Sequence, residues 1–201
     1  MRTLLRLSTT VLLTAALGAG LTGCSEEEDA NRIVVDVVSL NGNGPLFSDV
    51  YNLNGTPDDP LDDFIPVDVI EVTFEARPHD NVLTLSPFGG PFSSVRFTRY
   101  SIQFEDGVHA SGADLNGDGI VDLESFTASM NVVVPVFTTQ TAFVLVVGGG
   151  IKTQPPLVQL RGGGEYRANG RITFYGTEET SGEKIEITRG LNMRFADFAD
   201  E

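Results

Sequence analysis

From Arg32 onward the apolar residues recur at every second position, the signature of strands with one buried and one wet face. Ile70, Val72, Phe74 and Ala76 alternate with Glu71, Thr73, Glu75 and Arg77. Tyr100, Ile102 and Phe104 alternate with Arg99, Ser101, Gln103 and Glu105, whereas Val95 and Phe97 lie in the opposite phase. A one-residue slip would turn the core face outward, so a bulge or bend is predicted near Thr98. Further strands are predicted over Ile33–Leu40, Phe126–Val134, Ala142–Val147, Arg171–Tyr175, Ile185–Ile187 and Leu191–Phe195. Gly190 separates the last two without changing their phase, which predicts one long strand with a glycine kink. The run from Gly176 to Gly182 has turn composition between two alternating segments, the pattern of a hairpin. Beyond the N-terminal segment no stretch carries a helical face.

About eight strands, separated by clusters of Gly, Pro, Asn and Asp, predict an all-β fold. The expected architecture is an antiparallel two-sheet β-sandwich of immunoglobulin or fibronectin type III kind, formed by residues 32–201 as a single domain. The Cys, Trp, Cys set of antibody domains is absent, because the chain has one cysteine and no tryptophan. Strand count and spacing therefore carry the expectation.

Thirteen basic residues against 28 acidic ones give a net charge of -15, too little positive charge to release many counterions from a phosphate backbone. Nucleic acid is thereby excluded as an expected partner. Arg2 and Arg6 precede an apolar stretch from Leu7 to Leu17, which is too short to span a bilayer and reads as an export signal. Gly18, Gly20 and Gly23 spell G-x-G-x-x-G, but no strand precedes them, so a dinucleotide site is not expected.

That stretch runs into Leu21-Thr22-Gly23-Cys24, which resembles the lipobox of bacterial lipoprotein signal peptides. The resemblance implies that residues 1–23 are removed, and that Cys24 receives a diacylglycerol on its sulfur and a further acyl chain such as palmitate on its amino group. Each buried methylene contributes about 0.8 kcal/mol, and stable anchoring needs at least two chains. The expected partner is thus a membrane, reached through lipid, and the expected place is the cell envelope. Serine after the cysteine resembles the pattern that favours the outer membrane. Loss of two arginines and no acid leaves 11 basic and 28 acidic residues, a net charge of -17. Residues 24–31, with the run Ser25-Glu26-Glu27-Glu28-Asp29, read as a solvated tether. With Cys24 acylated, no thiol is left to form a disulfide.

Asp114-Leu115-Asn116-Gly117-Asp118-Gly119-Ile120-Val121-Asp122 fits D-x-N-x-D-G-x-x-D and resembles the calcium loops of dockerins and thrombospondin type 3 repeats. The resemblance implies calcium held by Asp114, Asn116, Asp118, the Ile120 carbonyl and Asp122, with affinity on the order of 10⁻⁴ to 10⁻³ M as in extracellular modules. Position twelve departs from the EF-hand pattern: Ser125 stands there, with Glu124 one place early. Asn-Gly and Asp-Gly are equally the turns of a metal-free hairpin. Asp58, Asp59, Asp62 and Asp63 form a second acidic cluster, read as a solvated loop because Pro57 and Pro60 break its spacing.

Other chemistry finds little support. His79 and His109 lack metal-ligand spacing and read as exposed loop residues. Gly148-Gly149-Gly150 before Ile151 and Lys152 lacks the α/β context of a phosphate loop, so it and Gly162-Gly163-Gly164 read as flexible connections. Glu178 and Glu179 are adjacent and point to opposite faces, so they do not form an acid pair. No G-x-S-x-G elbow occurs. The expected function is a non-catalytic, lipid-anchored module acting by surface contact with an envelope protein or glycan, as adhesion, scaffold or assembly component. A carbohydrate-binding or substrate-capture lipoprotein is the alternative, which requires Tyr51, Tyr100, Tyr166 and Tyr175 to share a surface. The segment Phe174-Tyr175-Gly176, a hairpin and then Phe195-Ala196-Asp197-Phe198 resembles uncharacterised envelope lipoproteins, with no activity implied.

Overall fold

The computed structural model describes residues 33–53, 63–79, 94–105 and 123–198. Among them eight strands form two sheets: β1 (Ile33–Leu40), β2 (Leu46–Asp49), β3 (Asp68–Pro78), β4 (Ser94–Glu105), β5 (Phe126–Pro135), β6 (Thr139–Val147), β7 (Glu165–Glu178) and β8 (Lys184–Ala196). One sheet has the order β1-β3-β6 and the other β2-β8-β7-β4-β5. A single helical turn, α1 (Gly149–Lys152), and a 3-10 segment (Leu157–Gly162) connect β6 to β7.

The period-two pattern places its apolar positions as expected. Ile70, Val72, Phe74 and Ala76 are buried, and their neighbours face solvent or the sheet's outer side. The register of β4 shifts between Phe97 and Arg99 against both neighbours, so Val95 and Phe97 stay inside with Tyr100 and Ile102 despite their change of phase. The bulge lies at Thr98, where the phase break predicts it. A second register shift, between Val37 and Ser39 in β1, keeps Leu40 inside in the same way.

The two inner faces meet in an aromatic centre. The Phe74 ring of β3 stacks on Phe97 of β4 at 4.7 Å and meets Phe174 of β7 edge-on at 5.0 Å. Tyr100 Oη donates to the Leu145 carbonyl at 2.9 Å, a polar tie from one sheet to the other. Gly176 makes this packing possible, because a Cβ there would lie 2.8 Å from the Phe97 ring and 3.0 Å from the Arg96 carbonyl.

Two features depart from the sequence expectation. β2 pairs with β8 in parallel, so the second sheet is mixed and not wholly antiparallel. Four residues, of which only Leu46 and Ser48 are buried, are too short for periodicity to reveal. β8 is one strand, as expected, and Gly190 stays in register with Arg171 with no shift. Gly148 to Gly150 do not form a slack connection: Gly149 opens α1, packed near Ile65 and Val67, and Lys152 ends it in the core.

Candidate functional site

Of the sequence-predicted positions, Cys24, the loop Asp114–Asp122, His109 and Asp58, Asp59 and Asp62 lie outside the described residues. Asp63 accepts a short hydrogen bond from Tyr51 Oη, which raises the Tyr51 phenol above its ordinary value. His79 is exposed just after β3. The four tyrosines do not share a surface. Tyr100 and Tyr166 are core residues, Tyr51 packs under the Arg161 guanidinium at 4.4 Å, and Tyr175 lies on the outer face of β7 beneath Arg99 at 4.3 Å. Glu178 and Glu179 do point to opposite faces: Glu179 binds Arg96 at the surface, while Glu178 is buried with neither carboxylate oxygen hydrogen-bonded.

Sequence reasoning missed the buried ion cluster that joins β2, β3 and α1. Lys152 Nζ, wholly buried, donates to Asp68 Oδ2 at 2.9 Å and to the Asp49 carbonyl at 2.6 Å. Ser48 Oγ donates to the same Asp68 oxygen at 2.7 Å. Serine, lysine and aspartate are the parts of a nucleophilic site, but here both donors point at one carboxylate and Ser48 has no exposure. The arrangement satisfies a buried charge and fixes the end of β2.

Two open crevices of about 270 and 260 Å³ share Pro45 and Asn192. Asn43, Asn169, Arg167, Arg189 and Arg194 supply most of their polar lining. The arginines are already engaged. Arg194 donates to both oxygens of Glu165 and Arg167 to one, and these hydrogen bonds, Arg194's first, hold the Glu165 carboxyl down to about 2. Arg194 also lies 5.4 Å from the Phe47 ring, which meets Phe198 edge-on at 6.2 Å.

The β5–β6 flank has a different character. From Ser125 through Ile151, 27 consecutive residues, there is no Asp, Glu, Lys, Arg or His, where a chain with 20% charged residues would place about five. This segment is β5, the turn Val136–Thr138 and β6, and both strands are sheet edges among the described residues. Natural edges are normally protected by charge, proline, bulges or brevity. β6, Thr139–Val147, has none of these guards apart from one irregularity at its end, opposite Asp68 and Val69. On its outer face Phe143 is 72% exposed with Glu71 of β3 directly opposite it; Val69, opposite Leu145, and Val67, just before β3, are 50% and 57% exposed. At the turn, Phe137 is 57% exposed and takes φ 65°, left-handed backbone that a bulky residue rarely adopts. Its own N–H donates to the Ala76 carbonyl at 2.8 Å, which holds it there. The missing charge is legible in the sequence; that both strands are edges is not.

No protein-family model matches the chain and no curated protein matches it. What the fold and surface define is thus a class: an all-β, two-sheet domain with one unguarded, uncharged flank.

Proposed function

We propose that the chain is a lipid-anchored, non-catalytic module of the bacterial cell envelope that works by holding a partner against its β5–β6 flank. The observation that carries this is the exposure of Phe143, Val69, Val67 and Phe137 around two edge strands that have no charge to repel an incoming strand. The lipobox residues ending in Cys24 and the acidic tether support anchorage, with the outer membrane favoured, and the Asp114–Asp122 motif supports a calcium ion as a structural stabiliser. Strand order supports an immunoglobulin or fibronectin type III-like class. With β1, β3, β4, β6, β7 and β8 read as strands A, B, C, E, F and G, one sheet is A-B-E and the other contains C, F and G. β5 then extends the second sheet beyond C, and β2 runs parallel beside G.

The test is a photo-crosslinking residue placed at position 143 in intact cells, with position 171 on the outer face of β7 as control, followed by intact mass of the mature chain. The reading expects a discrete crosslinked product from 143 alone and a diacylglycerol mass on Cys24. Absence of any product from 143, or an unmodified Cys24 sulfur in mature material, would falsify it.

A second reading, capture of a neutral or acidic glycan, draws on the crevices lined by Asn43, Asn169 and Asn192, whose amides can both donate to and accept from hydroxyls. Titration calorimetry with envelope glycans tests it: binding that Asn192→Ala weakens at least tenfold would support capture, and no heat at millimolar glycan would remove it.

A further inference from the structure

Resting on the contact-surface reading above, we propose that the occupant of the β5–β6 flank is a second copy of this chain, joined to the first through antiparallel pairing of the two β6 edges about a twofold axis. In antiparallel pairing, alternate residues of an edge strand turn their N–H and C=O groups away from the inner neighbour. For β6 that inner neighbour is β3, so the outer groups face an incoming strand. Main-chain hydrogen bonds of this type supply affinity wherever a strand adds to a sheet.

Charge decides which edge of this chain a second copy can meet. Two copies at a net charge of -15 each, or -17 once residues 1–23 are removed, repel wherever their charged surfaces meet. A twofold interface makes the demand stricter, because it places every residue of the strand opposite a residue of the same strand, and a charged position near the axis then meets its own sign. Thr139-Gln140-Thr141-Ala142-Phe143-Val144-Leu145-Val146-Val147 has no such position. The other outer strand of the same sheet, β1, carries Asp36 and so fails that condition. Pairing through β6 would join the two three-stranded sheets into one of six strands. It would also bring the exposed Phe143 of each copy onto one outer face, where Glu71 of β3 stands opposite it and Val69 lies two residues along, covering part of the apolar surface that either copy alone leaves wet.

The experiment is sedimentation equilibrium of the purified full chain in density-matched detergent. It is combined with hydrogen exchange of the β6 amides at low and high protein concentration, on wild type and on the double variant Gln140→Lys, Phe143→Lys. Both substituted side chains are exposed, and the melting temperature of the dilute variant verifies its fold. The proposal expects a monomer–dimer equilibrium, β6 amides that gain protection as concentration rises, and association at least tenfold weaker in the double variant. A monomer at every concentration overturns it. So does a dimer whose β6 amides exchange equally at both concentrations, or one that the double variant leaves as strong. Wild-type exchange decides the matter even if the double variant fails to fold. A crosslink from position 143 to a different envelope protein, with no dimer, sinks the second copy and leaves the contact surface standing. No crosslink from 143 at all sinks both.

Discussion

The two flanks of the sandwich are built by the same manoeuvre and finished in opposite ways. On one, β1 leaves its sheet and the chain crosses through Asn41–Asn43 to β2 in the other; on the second, β5 leaves its sheet and the chain crosses through Val136–Thr138 to β6. The first crossing uses Asn41, Gly42 and Asn43 for its left-handed backbone, residue types that tolerate it. The second gives that conformation to Phe137. The first flank is bound by charge, with Arg189 reaching Asp36 of β1 at 3.5 Å, while Lys152 holds the end of β2 to the Asp49 carbonyl and to Asp68, which stands opposite Val147 at the end of β6. The second has no charged side chain of its own from Ser125 to Ile151. Strain and missing charge coincide with exposed aromatics on the same flank, and strained backbone persists where function holds it. One flank closes the domain and the other presents it.

The largest expected effect lies where the ends of β2, β3 and α1 meet. Lys152→Met leaves the Asp68 carboxylate without its cation in a site where the side chain is only 10% exposed, and should cost about 3–5 kcal/mol in denaturant unfolding. Adding Asp68→Asn to that variant removes the unpaired charge and should return part of the loss. A double-mutant cycle that shows the two changes to be additive would mean that the ion pair does not stabilise that junction.

How far this contrast could be read from the chain differs between the flanks. The strands with four or more alternating apolar positions were legible, and so was the bulge at Thr98, because a change of phase within one hydrophobic run has few physical solutions. β2 was not, since four residues with two buried positions carry no period and its parallel partner, β8, lies far along the chain. Lys152 follows three glycines in the manner of a phosphate loop, and nothing local shows that β2 and β3 fold a carbonyl and a carboxylate around its ammonium group. The uncharged run on the open flank stood in the sequence throughout. Its meaning required the sheet order, because an uncharged strand at the centre of a sheet is ordinary and one at the edge is exposed to pairing.

Making the open crossing resemble the closed one gives the next effect. Phe137→Asn puts at φ 65° a residue type suited to that backbone and should raise stability by about 1 kcal/mol in thermal or urea unfolding. If Phe137 is held in place for contact, the same variant should weaken the crosslink from position 143. A gain in stability with contact unchanged would show that the strain serves no partner.

Two exposed phenylalanines sharpen the comparison further. Phe47 on the closed flank, 54% exposed, has Arg194 over its ring and Phe198 at its edge, contacts worth about 0.5–1.5 kcal/mol together. Phe143 is more exposed, at 72%. Phe47→Ser should therefore lower stability by about 1 kcal/mol, whereas Phe143→Ser should stay within about 0.5 kcal/mol of wild type in the dilute monomer. Equal losses would remove the distinction between an aromatic used inside the domain and one kept for a partner.

The smallest effect concerns acid. Hydrogen bonds from Arg194 and then Arg167 hold the Glu165 carboxyl down to about 2, against an unfolded value near 4.5. A depressed carboxyl contributes stability that is fully present above the unfolded value and disappears as pH falls through the folded one. The stability difference between wild type and Glu165→Gln should therefore be constant above about pH 5, shrink between about 4.5 and 2, and vanish below that. The groups are at the surface, so the difference should be small and should shrink further with salt. β6 has no ionisable side chain, Glu71 and Glu75 of β3 stand opposite its Phe143 and Thr139, and lower pH reduces the negative charge that separates two copies. Contact through the open flank should thus hold its strength from pH 7 to 5, read by sedimentation at fixed ionic strength. Contact that weakens over that range would mean that an ionised carboxylate, Glu71 or Glu75 first, holds the two copies together in place of the uncharged β6 pairing.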